Sequence, residues 1–128
     1  MSKLALIKGL RAAIQDMSPL RTVVESATGP LGIEGPLPAR SREFDQYTRA
    51  WSAWSATLRT IADLIEAQAG PIDAAQIALL RMNLFGGMGS FNDLWFDPKI
   101  LGPTAQHVND RLTETRSAIY AALENLEH

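Results

Sequence analysis

The sequence predicts an all-α protein, an elongated helical bundle of four to five helices with one long heptad-patterned central helix. Three observations carry that expectation. Phe44, Tyr47, Trp51, Trp54, Leu58, Ile61 and Ile65 recur at alternating spacings of three and four, which gathers large apolar side chains on one stripe of a helix. Apolar residues elsewhere keep the same period, and no stretch alternates in twos as a half-buried strand does. Glycine and proline fall between the periodic runs, at Ser18-Pro19, Thr28–Pro38, Gly70-Pro71 and Gly102-Pro103, where helices are expected to stop and start.

The first segment, about Ser2 to Ala27, places Ile7, Leu10, Ile14 and Met17 on one face. Proline suits a first helical position after a serine cap, so Ser18-Pro19 should divide the segment into two helices or kink it sharply. Thr28 to Pro38 holds three glycines and three prolines in eleven residues and reads as a connector crossing one end of the bundle. The long helix should run from about Ser41 to Ala69, with Leu64 flanking and widening its stripe and Arg49, Arg59, Asp63 and Glu66 on the outer faces. At about 1.5 Å per residue it would span roughly 43 Å, against a diameter of roughly 36 Å for a compact chain of this size. Hence the expectation of an elongated molecule.

A third long segment should run from about Asp73 to Phe85, with Ile77, Leu80 and Leu84 inward and Asp73 and Gln76 at capping-box spacing. The last helix, about Thr104 to Asn125, would use Val108, Leu112, Ile119 and Leu123, with Gly102-Pro103 as its start signal. A short extended piece fits between Ser90 and Phe96. Residues 1–125 read as one domain. Leu126-Glu127-His128 resemble the start of a vector-encoded polyhistidine tail and are set aside, which leaves His107 as the single histidine to weigh.

The 128 residues are 46% hydrophobic and 20% charged, a globular balance with enough chain to bury a core without a staple. A net charge of -2 lacks the domain-wide basic footprint that nucleic acid would call for. The absence of cysteine removes thiol nucleophiles, disulfides and cysteine metal sites together. No apolar run approaches the roughly 20 residues that span a bilayer, and Leu4–Ile7 is too short for a signal-peptide core. A cytoplasmic protein is expected, without nucleic-acid or membrane partners.

Leu84 to Pro98 is the unusual segment: three glycines in four positions, then Phe91, Leu94, Trp95 and Phe96 among amide and acidic residues. A phosphate cradle is one reading, but the stretch has no lysine before Lys99 and its glycines follow a helix instead of a strand. A catalytic loop is another, with Ser90, Asn92, Asp93 or Asp97 acting on a substrate and His107 as the available imidazole. The structural reading has Gly86 and Gly87 ending the helix in a left-handed cap, Gly89 permitting close backbone packing, and the aromatic residues plugging one end of the bundle. An aromatic-rich loop on a rigid frame also suits protein contact.

The run Phe85-Gly86-Gly87-Met88-Gly89-Ser90-Phe91-Asn92-Asp93-Leu94 resembles the signature of a small bacterial all-helical family of uncharacterised function. That family pairs a Trp- and Leu-bearing helix with a later Gly-Met-Gly-Ser-Phe-Asn-Asp turn, and Trp51, Trp54 and Leu58 sit where the earlier helix belongs. The likeness extends from about Phe44 to Pro98. It marks a family and carries no established chemistry. By analogy such domains resemble the small helical proteins of bacterial toxin–immunity systems.

The remaining candidates have plainer readings. Trp51 and Trp54 occupy heptad positions, which favours core or helix contact over an exposed platform. His107 lacks the partners that zinc demands, so neither metal nor cofactor is expected. Arg40, Arg42 and Arg49 suit a solvated face, and Arg59 with Asp63 has the spacing of a helix-surface pair. The leading expectation is a non-catalytic protein-binding module, an immunity-type or regulatory partner of a toxin or effector. Its contact residues would be Met88, Ser90, Phe91, Asn92, Asp93, Trp95 and Asp97, with Asp93 and Asp97 covering a basic active site in the toxin-neutralising version. Two alternatives remain: a small hydrolase or transferase built on Ser90, Asp93, Asp97 and His107, and a homodimeric structural module that buries the long stripe against its twin.

Overall fold

A computed structural model describes residues 2–28 and 42–127. Most of the Gly/Pro-rich connector expected at Thr28–Pro38, and Arg40, lie outside the described residues. Within them the chain is an all-α bundle with five helices of two turns or more: α1 (Ser2–Met17), α2 (Leu20–Thr28), α3 (Arg42–Ala67), α4 (Ala74–Phe85) and, after the single-turn α5 (Pro98–Leu101), α6 (Pro103–Glu127). One 3-10 turn, Phe91–Asp93, lies between α4 and α5. The two long helices, of 26 and 25 residues, extend roughly 39 and 37 Å. No helix among the described residues is long and apolar enough to cross a membrane.

The helix ends follow from local chemistry. Ser18 and Pro19 separate α1 from α2, but Ser18 does not cap the second helix. Its hydroxyl donates to the Gln15 carbonyl at 2.7 Å, closing the last turn of α1 instead. Asp73 caps α4 as its spacing predicts: its carboxylate accepts from the Gln76 N–H at 2.8 Å while the Gln76 side chain accepts from the Asp73 N–H at 3.0 Å. The far end of α3 is held from another helix. The Lys3 ammonium donates to the Gln68 carbonyl and, at 2.9 Å, to that of Gly70, placing a cation where the α3 dipole is negative.

Packing departs from the one-stripe picture at α1. Both α3 and α6 lie along it, so this helix is covered from two sides and its buried set is wider than one stripe. Leu6 and Ala13 are buried together with the expected Ile7, Leu10 and Met17, and Ile14 is half-buried. Close approach to α6 depends on Gly9, where an added Cβ would come within 2.8 Å of Cγ1 of the buried Ile119. A second α1–α6 link joins the Thr115 hydroxyl to the Asp16 carboxylate. On the α3 side Arg11 pairs with Asp63 at 3.2 Å and Glu66 at 3.0 Å. Asp63 therefore bonds across helices to Arg11, and no bond to Arg59 accompanies the i,i+4 spacing.

On α3 the stripe is used within the chain's own core. Phe44, Leu58, Ala62 and Ile65 are buried, and Tyr47, Trp51, Trp54 and Ile61 pack half-buried against them. Leu64, expected to widen the stripe, is exposed instead and borders a shallow apolar groove with Leu79 and Leu80 of α4. The α6 stripe holds Val108, Leu112, Ile119 and Leu123 fully buried, and Leu126 packs half-buried beside it.

Because the fully buried Ile119 side chain would have to shift, Gly9→Leu is expected to destabilise the fold by about 1–3 kcal/mol through overpacking. Urea unfolding checks this, and an unchanged midpoint would show that the α1–α6 contact is looser than described.

Candidate functional site

The segment from α4 to α5 packs against α3 and α6, and its turn is built on glycine. Gly86 ends α4 at φ -86°, outside the left-handed region, and is needed because a Cβ there would overlap the Met82 carbonyl oxygen. The positive φ angles fall instead on Gly87 (+123°) and Gly89 (+79°). The roles expected of Gly86 and Gly89 are thus exchanged: close packing belongs to the first and the left-handed backbone to the second. The turn is tied by the Gly89 N–H donating to the Asp93 carboxylate at 3.0 Å and by the Ser90 N–H donating to the Gly87 carbonyl at 3.1 Å. The 3-10 turn follows, then an extended stretch into Asp97, which caps α5 by accepting from the Lys99 N–H at 2.9 Å.

Of the aromatic side chains expected to plug a bundle end, Phe91 and Phe96 do enter the core, but against residues within α3 and α6 and not at their ends, and Trp95 stays half exposed. Phe91 and Phe96 are fully buried, Phe91 packing on Trp54 at 5.5 Å between ring centroids and Phe96 on Tyr47 at 6.1 Å. Each buried phenyl ring contributes about 1.5–3 kcal/mol of transfer free energy. Phe91, expected among the partner-contact residues, presents no surface in this conformation because its ring lies between Trp54 and the Arg116 guanidinium.

Two α6 residues hold the segment from below, and neither was singled out in the sequence. Asn109, 4% exposed, accepts from the Phe96 N–H at 2.9 Å and donates to the Phe96 carbonyl at 2.7 Å. One carboxamide thus satisfies both backbone groups of a buried residue outside any helix. Seven positions on, one Nη of Arg116 donates to the Leu94 carbonyl at 2.7 Å and the Phe91 carbonyl at 3.2 Å. Burial lowers the Arg116 pKa, opposed by the charge of Asp93. A signal existed: the 112, 116, 119, 123 spacing continues the apolar stripe, so a cation at 116 stands where a hydrophobe belongs.

The expected contact residues divide by exposure. Met88 is 98% exposed at the tip of the glycine turn and Trp95 is 50% exposed. Asn92 and Asp93 are exposed, Ser90 and Asp97 half-buried. The catalytic alternative needed Ser90, Asp93, Asp97 and His107 to meet, and no hydrogen bond joins any two of their side chains. The Ser90 hydroxyl oxygen is buried without a hydrogen-bond partner, Asp93 serves the glycine turn, and Asp97 caps α5. His107 is exposed on α6, and Nε2 accepts from Arg111 at 3.3 Å. Among the described residues no group of three His, Cys, Asp or Glu side chains is placed to hold a metal ion.

Beside the turn lies a groove of about 440 Å³, lined by Phe85, Asn92, Thr113, Arg116, Ser117 and Tyr120. Residues 49–99 match a family described as a domain of unknown function, DUF6966. The matched stretch runs from within α3 through α4 and the glycine turn into α5, so it contains the packed pair Trp54 and Phe91, together with Phe96. Both braces, Asn109 and Arg116, lie beyond it. No curated protein and no solved structure matches the chain.

Replacing Asn109 by Leu would strand a buried N–H and a buried carbonyl, and should cost about 2–5 kcal/mol. Urea denaturation of the variant checks it, and a loss under about 1 kcal/mol would show that water replaces the carboxamide. Tyr47 supplies a pH test. Burial first, then the charges of Asp97 and Glu43, raise its phenol pKa, so the fold favours the neutral form. Its contribution is full below the unfolded value of about 10 and lost as pH rises through the folded one. Tyr47→Phe should therefore flatten the decline of stability above about pH 10, measured by urea unfolding at a series of pH values.

Proposed function

We propose that this chain is a non-catalytic protein-binding module, an immunity-type or regulatory partner protein, that engages its partner through the exposed part of the glycine-rich turn. The observation that carries this reading is the exposure of two large apolar side chains, Met88 at 98% and Trp95 at 50%, on a segment whose backbone is bonded on both sides of Trp95 and across the glycine turn. Large apolar groups left in water gain by being covered in a contact, and an indole with two rotatable bonds on a bonded backbone loses little entropy in doing so. Asn92 and Asp93 lie exposed between them, giving the patch a polar rim. In the toxin-neutralising version, Asp93 and the half-buried Asp97 supply negative charge toward a basic partner surface. The matched domain family extends over this turn.

The test uses surface residues, so that binding and folding separate. Met88→Ala should leave stability within about 0.5 kcal/mol of the parent, and Trp95→Ala, whose ring is half covered, should cost about 1–3 kcal/mol while the protein stays folded. Each should weaken binding to the cognate protein, recovered by affinity capture from the source organism's lysate, by roughly tenfold or more. A stoichiometric partner held equally well by both variants would place the interface elsewhere.

A further inference from the structure

We propose that the groove lined by Phe85, Asn92, Thr113, Arg116, Ser117 and Tyr120 is a binding site for a small aromatic monocarboxylic acid, with Arg116 as the carboxylate-binding group. This site shares only Asn92 with the proposed protein-contact surface and does not depend on that reading.

The argument starts from the donors of Arg116. A guanidinium has five N–H groups, and the two on one Nη are taken by the Phe91 and Leu94 carbonyls. Those bonds fix the plane of the group. Nε and the other Nη, the edge that presents two parallel N–H donors, bond to no protein atom and are not sealed from solvent. Among the described residues no carboxylate lies within ion-pair distance of Arg116, although the charge of Asp93 acts on it. A half-buried cation held in one orientation, with its two-donor edge unused and a groove beside it, suits a planar two-oxygen anion.

The other walls specify what the anion is attached to. Phe85 and Tyr120 meet edge to face, with centroids 5.3 Å apart and planes at 89°, and give the groove an aromatic side. Arg81 stacks over the Tyr120 ring, 5.2 Å from its centroid, which helps hold that ring in place. A flat apolar body is the fitting complement. The hydroxyls of Thr113 and Ser117 donate to backbone carbonyls of their own helix, those of Asn109 and Thr113. Their hydrogens are therefore used, and what they offer a ligand is acceptor oxygen. A phosphate needs several donors and finds one guanidinium edge and the Asn92 amide. A monocarboxylate bearing its own O–H or N–H is matched at both ends.

The experiment titrates 4-hydroxybenzoate into the intact protein and follows backbone and arginine side-chain signals by ¹H–¹⁵N NMR, with benzyl alcohol and inorganic phosphate as parallel probes. The expected result is saturable shifts confined to residues around 85–92 and 113–120, with Kd of about 1 mM or tighter and both parallel probes weaker by roughly tenfold. Arg116→Lys, which keeps the charge and loses the two-donor edge, should weaken 4-hydroxybenzoate by roughly tenfold. Arg116 also braces the loop, so Asn92→Ala provides the independent variant. Asn92 is exposed, and its change should weaken binding severalfold in a fully folded protein. The proposal is overturned by the absence of saturable shifts at ~10 mM acid, by shifts centred elsewhere, or by equal affinity for benzyl alcohol or phosphate.

Discussion

The segment between α4 and α5 depends on one buried carboxamide. Between α4 and α5 the chain leaves helical structure while still running through the core, where unpaired backbone groups are costly. Asn109 answers that constraint with a two-way bond to Phe96, and Arg116, two helical turns along the same side of α6, does the same for the carbonyls of Phe91 and Leu94. Between these braces the chain buries Phe91 and Phe96 and leaves Trp95 half exposed, while Met88 stands before them on the glycine turn. The exposed surface and the buried rings are two sides of one short segment, and α6 determines which residues go where.

The same arrangement gives Arg116 two roles. One Nη supports the loop, and the residue also lines the groove. A guanidinium can do both because its donors are distributed around a rigid plane; an ammonium offers no second edge of fixed direction. The glycine turn contributes differently. Gly86 lets the backbone pass the Met82 carbonyl, and Gly87 and Gly89 turn the chain with positive φ, which carries Met88 outward while Phe91 returns to the core.

Much of the fold was legible because helices write themselves in short range. The three-four spacing from Phe44 to Ile65, the Asp73–Gln76 cap and the break at Ser18-Pro19 are each decided within a few residues, and the helices appear where those signals place them. Misreadings arose where a residue's partner lies on another helix. Leu64 is exposed although its neighbours in sequence suggest burial, Asp63 pairs with Arg11 instead of Arg59, and the Ser18 hydroxyl turns back to α1. Two-sided burial of α1 has the same origin, since periodicity reports one face and says nothing of how many neighbours will cover a helix.

The candidate site shows the division most sharply. Composition and spacing by themselves determined that the chain is helical, that its glycine-rich segment interrupts two helices, and that the segment's aromatics are too dense for an ordinary loop. Which of those aromatics go inside was decided in three dimensions: Phe91 and Phe96 are enclosed and Trp95 is half in water, though all three occur within six residues. So was the identity of the braces. Asn109 lies 13 residues from Phe96, and Arg116 lies 22 and 25 from its two carbonyls. A local pattern can report only on groups that share a turn or two of helix, whereas a bond across such distances exists only once α6 has packed beneath the loop.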